Sequence, residues 1–168
     1  KWAQERGAAR LFDKVFVASE YHKRKLGWDN VVNLKALPNP PKDLYTVSSQ
    51  PGIFAKPFDI ISVARKSVQK RTEALEHRVL SELQRRLGRE VRIHCPKARN
   101  WQQYYAALRE ASILLVTSKE ETYGYQIVDA VLCGCFPLAP KAFSYPELLS
   151  SQHLYSNEKE LVDRLEKL

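Results

Sequence analysis

Residues 118–140 read SKEETYGYQIVDAVLCGCFPLAP, and the order of residue types in them decides the fold. The run just before, ILLV at 113–116, is apolar and β-branched and reads as a buried strand. Thr117, Ser118 and Thr122 follow it as candidate helix N-caps. Ile127, Ala130 and Val131 then recur at helical spacing, and Gly134 is placed to stop that helix. FPLA at 136–139 reads as the next strand. A helix advances 3.6 residues per turn, so Asp129 lies just over one turn beyond Gly124 and can face the same cleft as the loop. Glu121 and Asp129 therefore flank a segment whose backbone N–H groups form a helix N-terminus suited to an anion.

Working outward, the same strand–helix alternation continues in both directions. Strands are expected at 15–19, 31–34, 59–63, 90–94, 113–116, 136–139 and 153–155. Helices are expected at 4–12, 20–26, 72–87, 100–111 and 158–168, with a short turn or helix at 144–150. In the 72–87 segment Leu75, Val79, Leu80 and Leu83 share one face, and Gly88 ends it. Strands alternating with helices of this length imply parallel βαβ units, an α/β fold with a Rossmann-like parallel sheet flanked by helices. Residues 43–56 are polar, with Ser, Pro and Gly, and read as a linker. Neither a G-x-G-x-x-G fingerprint nor a P-loop occurs.

Composition sets bounds. With 168 residues, 44% of them hydrophobic and 27% charged, the chain can build one ordinary globular core. The longest apolar runs fall well short of the ~20 residues a membrane helix needs. Cys95, Cys133 and Cys135 lack a second pair or a His pair at zinc-ligand spacing, and read as small buried hydrophobes of a reducing compartment. A cytoplasmic location, with an anionic membrane surface as a second contact, is the expectation. Net charge is +8, and residues 65–99 hold eleven Lys/Arg against four Asp/Glu. Arg78, Arg85, Arg86 and Arg89 are expected to solubilise the outer face of one helix. Trp101, Tyr104 and Tyr105 are expected in the core.

The 118–140 segment resembles the donor-binding signature of retaining GT-B glycosyltransferases of the family 4 type: Glu121, Gly124, Asp129 and Ala130, followed by Gly134 to Pro137 and the Pro146-Glu147 step. The family has Glu where Asp129 stands. A second match is FDIISVA at 58–64, followed by Arg65 and, five residues on, Lys70. The family places its diphosphate-gripping basic pair there, with glycines where Ala64 and Arg71 stand. Arg supplies a planar fork and Lys a point charge, both suited to a pyrophosphate. VFVASEYHKRKL at 15–26 resembles the end of a GT-B N-terminal domain.

The resemblance implies the C-terminal half of a GT-B fold. Residues 1–42 would be the tail of the N-terminal, acceptor domain with the hinge, and 43–168 the nucleotide-sugar-binding domain. It implies a nucleoside-diphosphate sugar (UDP or GDP type) as co-substrate, no cofactor and no bound metal. The transfer would retain configuration, to an acceptor the sequence does not name. Arg65, Lys70 and Glu121 would be the catalytic set, and Thr122, Tyr123, Gly124, Tyr125 and Asp129 the donor contacts. The missing remainder of the N-terminal domain would be a partner, and this stretch alone would be inactive. Nucleic acid is set aside as a partner on this reading. The alternatives are a non-catalytic nucleotide-binding module of the same fold, or a basic module for nucleic acid or membrane.

Overall fold

The computed structural model describes residues 1–34, 58–63 and 72–168. A first unit comprises α1 (Trp2–Ala9), β1 (Val15–Val17), α2 (Glu20–Leu26) and β2 (Val31–Asn33). β1 and β2 pair in parallel, Phe16 opposite Val32. Val17, Leu26 and Val31 are buried together beneath Trp2 and Val15. Ser19 caps α2 by accepting from the His22 N–H at 3.1 Å.

The second unit runs β3 (Phe58–Ile61), α3 (Glu73–Leu87), β4 (Ile93–His94), α4 (Trp101–Glu110), β5 (Ala111–Leu115), α5 (Tyr125–Leu132), β6 (Phe136–Pro140), α6 (Tyr145–Leu148), a 3₁₀ turn (Ser151–His153), β7 (Leu154–Tyr155) and α7 (Glu158–Lys167). Its five strands are all parallel, in the order β4-β3-β5-β6-β7. Alternation along β5 explains the layering. Ile113 and Leu115 join Ile60, Val79, Leu83, Leu161 and Leu165 beneath α3 and α7. Leu114 and Val116 join Ile61, Leu108, Ile127 and Ala130 beneath α4 and α5. Both faces are covered, which is what a parallel sheet requires.

Helix ends follow the sequence closely. α3 stops at Gly88 (φ +63), whose N–H reaches the Gln84 carbonyl. α5 ends in a Schellman motif: Gly134 (φ +64) bonds the Val131 carbonyl at 3.1 Å and Cys135 the Ala130 carbonyl at 2.8 Å. Asn100 and Asn157 cap α4 and α7 through Gln103 and Glu160.

Three expectations need correction. The strand expected at 90–94 shrinks to Ile93–His94, because β4 is an edge strand whose only register partners are Ile60 and Ile61, while Glu90 and Arg92 pair with each other in solvent. Arg78 and Arg86 do more than solubilise: Arg78 forks onto Glu158, and Arg86 bonds Glu82, Asp163 and Glu166, tying α3 to α7. The two arginine bonds hold the Glu82 carboxyl down to about 2. Trp101 is 67% exposed, so it is not core, although its ring stacks on Tyr105. Among the described residues no helix is long and apolar enough to cross a membrane.

Candidate functional site

The chain passes from β3 out to β4, then returns across β3 to β5 and runs on to β6 and β7. The order reverses between β3 and β5, which makes a crevice beyond their carboxyl ends, the usual ligand position in an open α/β sheet. Residues 117–124 leave β5 at that crevice. Glu121, Thr122, Tyr123, Gly124 and Tyr125 are thereby brought into one loop. Arg65 and Lys70, between Val63 and Thr72, lie outside the described residues.

The loop is held from several sides. One Glu121 carboxylate oxygen accepts the N–H groups of Thr122 at 2.9 Å and Tyr123 at 3.3 Å, so Glu121 shapes its own loop. Gly124 is the N-cap of α5 with φ +99, and a Cβ built there would lie 3.1 Å from Leu148 Cδ1 and 3.2 Å from Tyr145 Cε1. Only glycine combines that backbone with that space. Ser118 Oγ meets the Tyr145 hydroxyl at 2.5 Å, and Ser144 Oγ donates to the Tyr123 carbonyl at 2.7 Å. Tyr123 is buried and Tyr125 exposed, their rings 4.9 Å apart. Thr117, Ser118 and Thr122 are therefore not helix caps: α5 begins later, and their polar groups are used across the loop.

The first unit clasps the same loop. The Ser19 hydroxyl donates to the Thr122 carbonyl. The Glu147 carboxylate accepts the Glu20 and Tyr21 N–H groups at 2.8 Å each, capping α2 from α6. A cleft of about 310 Å³ opens between the units, bounded by Ser19, Glu20, Tyr123, Ser144 and Glu147.

Asp129 stands apart from this loop in its contacts. It is 8% exposed, and its two oxygens accept from Tyr104 Oη at 3.0 Å and Tyr105 Oη at 3.1 Å. Burial pushes its carboxyl up from the ordinary value, and the two hydroxyls pull it back. Tyr104 and Tyr105 are themselves raised, by burial first and by the Asp129 charge second. Asp129 is thus aimed at α4 with lone pairs to spare, since each carboxylate oxygen carries two.

Sequence reasoning missed a buried carboxylate, Glu76. It is 3% exposed and accepts from Thr117 Oγ1 at 2.9 Å, with Ser62 Oγ at 3.4 Å. Thr117 in turn takes the Thr72 N–H at 3.0 Å, while Thr72 Oγ1 donates to the Thr117 carbonyl at 2.7 Å. This polar knot pins the start of α3 to the carboxyl ends of β3 and β5. The signal was present, because Glu76 is three residues before Val79 and seven before Leu83, on the helix's apolar face.

No family model matches the sequence. Over 105 residues it is 28% identical to the tRNA-queuosine alpha-mannosyltransferase of Drosophila melanogaster, covering 62% of this chain and 26% of that protein. Among solved structures, HepE of Anabaena in complex with UDP and glucose superposes with a TM-score of 0.64 at 20% identity, over 99% of this chain and 56% of that one. A TarM variant of S. aureus, bound to UDP, alpha-GlcNAc-glycerol and fondaparinux, gives 0.68 at 14% identity, over 100% of this chain and 39% of that one. The GtfA/B complex gives 0.56 at 16%, over 99% and 39%. The chain thus spans about a quarter of the curated relative and 39–56% of these solved chains. At such identities the likeness is one of fold, and that fold is the five-stranded parallel α/β architecture of the GT-B glycosyltransferases.

Proposed function

We propose that this chain is the donor-binding half of a retaining, family 4-like glycosyltransferase, with residues 1–42 the tail of its acceptor domain. The observation that carries the reading is the placement of the loop from Glu121 to Tyr125 at the crevice where the strand order reverses. A sugar would pass from a nucleoside diphosphate of the UDP or GDP type to an acceptor hydroxyl. The bond from the anomeric carbon to the diphosphate oxygen breaks, the new bond to the acceptor oxygen forms on the same face, and the acceptor hydroxyl's proton leaves with the diphosphate. Arg65 and Lys70 would stabilise the leaving diphosphate as its charge develops. Glu121 would hold a donor-sugar hydroxyl while fixing its loop. Thr122, Tyr123, Gly124 and Tyr125 would line the donor, and Asp129 would accept from ribose hydroxyls with its remaining lone pairs.

The acceptor we propose is a nucleoside carried on RNA, on the strength of the name of the Drosophila relative and the chain's net charge of +8. This departs from the expectation drawn from the sequence alone, which set nucleic acid aside. It also narrows that expectation's basic-module alternative. Residues 72–168 carry thirteen Lys/Arg and thirteen Asp/Glu, so that part of the chain is neutral.

Arg65→Ala and Lys70→Ala are each expected to weaken nucleoside diphosphate binding by about 1.5–3 kcal/mol, the worth of a charge-assisted contact. Titration calorimetry on folded variants checks this, and parent-like affinity in both would remove the diphosphate assignment. Transfer by the protein with a complete first domain is expected to survive EDTA, because side chains and helix N–H groups would neutralise the diphosphate. Loss in EDTA with rescue by Mn²⁺ or Mg²⁺ would refute that.

A further inference from the structure

We propose that the exposed face formed by α1 and the last turn of α2, comprising Arg6, Arg10, Arg24, Lys25 and the Trp28 indole, docks RNA. The inference rests on the reading above that the acceptor is carried on RNA, and it names the surface that would hold that RNA.

Charge is unevenly distributed: residues 72–168 are balanced, whereas residues 1–34 carry seven Lys/Arg against four Asp/Glu. In the balanced part, Arg78, Arg85, Arg86, Arg92 and Arg164 each meet a carboxylate at 2.7–2.9 Å. On the α1/α2 face, Arg6, Arg10, Arg24 and Lys25 meet none within 4.0 Å among the described residues. Glu5 is turned to His22, Glu20 accepts from Asn33 Nδ2 at 3.0 Å, and Asp13 and Asp29 are exposed. Lys25 Nζ lies 5.5 Å from the Tyr21 ring centroid, and cations without a carboxylate partner keep their net charge for phosphate.

Arg6 Nε donates to the Lys25 carbonyl at 2.8 Å, and Trp28 Nε1 donates to the Arg6 carbonyl at 3.0 Å. The Arg10 guanidinium lies 4.4 Å from the Trp28 ring centroid. A guanidinium over an indole combines backbone attraction with a stacking surface for a base. The dipole of α2 accounts for cations in its last turn and for the Arg6 bond, but not for Arg10 on Trp28.

Phe16, Val32 and Leu34 are exposed on the small sheet away from its buried residues Val17, Leu26 and Val31. α2 is about 10 Å long at 1.5 Å per residue, and its other end is capped by Glu147 beside the site loop. A bilayer fits the patch less well. α1 buries only Ala9 and has no apolar stripe to insert, and the Trp28 N–H is tied down rather than free to anchor.

The test uses the full chain, an unmodified tRNA transcript and fluorescence anisotropy across a salt series. The parent should bind with log-linear salt dependence. Arg10→Ala/Arg24→Ala/Lys25→Ala should weaken binding about tenfold or more and flatten the slope by roughly two to three. Arg78→Ala/Arg85→Ala, removing two paired cations elsewhere, should leave it unchanged. No binding by the parent would overturn both the patch and the RNA acceptor. Parent-like binding by the triple variant would overturn the patch alone. Binding of phosphatidylserine vesicles by the parent with none to tRNA, lost in the triple variant, would replace RNA with a membrane.

Discussion

Gly124→Ala should lower the thermal midpoint by roughly 6–15 °C and abolish measurable nucleotide binding. Position 124 holds φ +99, where an L side chain costs about 1–2 kcal/mol. The new Cβ also meets Tyr145 and Leu148 at 3.1–3.2 Å. Leu148 can turn away, but Tyr145 is fully buried and its hydroxyl is tied to Ser118, so the ring cannot yield. Overpacking adds about 1–3 kcal/mol. Gly7→Ala is the control, because its Cβ meets nothing within 4 Å in the middle of α1, and it should be neutral or stabilising. Differential scanning fluorimetry of the two decides it. Equal midpoints for Gly124→Ala and the parent would mean the loop does not adopt this conformation.

The double change Tyr104→Phe/Tyr105→Phe should cost about 3–5 kcal/mol at neutral pH, because it strips both hydrogen bonds from a buried carboxylate. The pH dependence gives the effect a signature. The Asp129 pKa is raised in the fold, so its contribution to stability is fully present below the unfolded value and is lost as pH rises through the folded value. Without the hydroxyls that pulled it back, the folded pKa climbs further. The stability gap between parent and double variant should therefore be small near pH 4 and widen toward pH 7. Asp129→Asn in the double variant should abolish that widening. Urea titrations at both pH values measure it, and a gap independent of pH would show that Asp129 is not the group the tyrosines serve.

That carboxylate also illustrates what the sequence made legible. Helical spacing let Asp129 face the cleft of the 121–124 loop, and its carboxylate meets α4 instead. Spacing cannot say which neighbouring element the inner side meets, and here α4 supplies two hydroxyls that no local pattern announces. Gly88, Gly134 and the strand–helix order were readable because turn and cap chemistry is local. The caps assigned to Thr117, Ser118 and Thr122 failed because those residues bond across the fold, to Glu76, Thr72, Tyr145 and Ser19. The exposure of Trp101 was hidden for a related reason. It occupies the first turn of α4 and stays exposed while Tyr105, one turn on, is buried.

Ligand-observed NMR with UDP, GDP and ADP on the folded chain tests the central claim most directly. At least one nucleoside diphosphate should give saturation transfer that excess unlabelled ligand displaces, that changes little between 50 and ~200 mM salt, and that Lys70→Ala reduces. Absence of signal for all three, or a signal that collapses log-linearly with salt as tRNA binding does, would contradict the donor-site account.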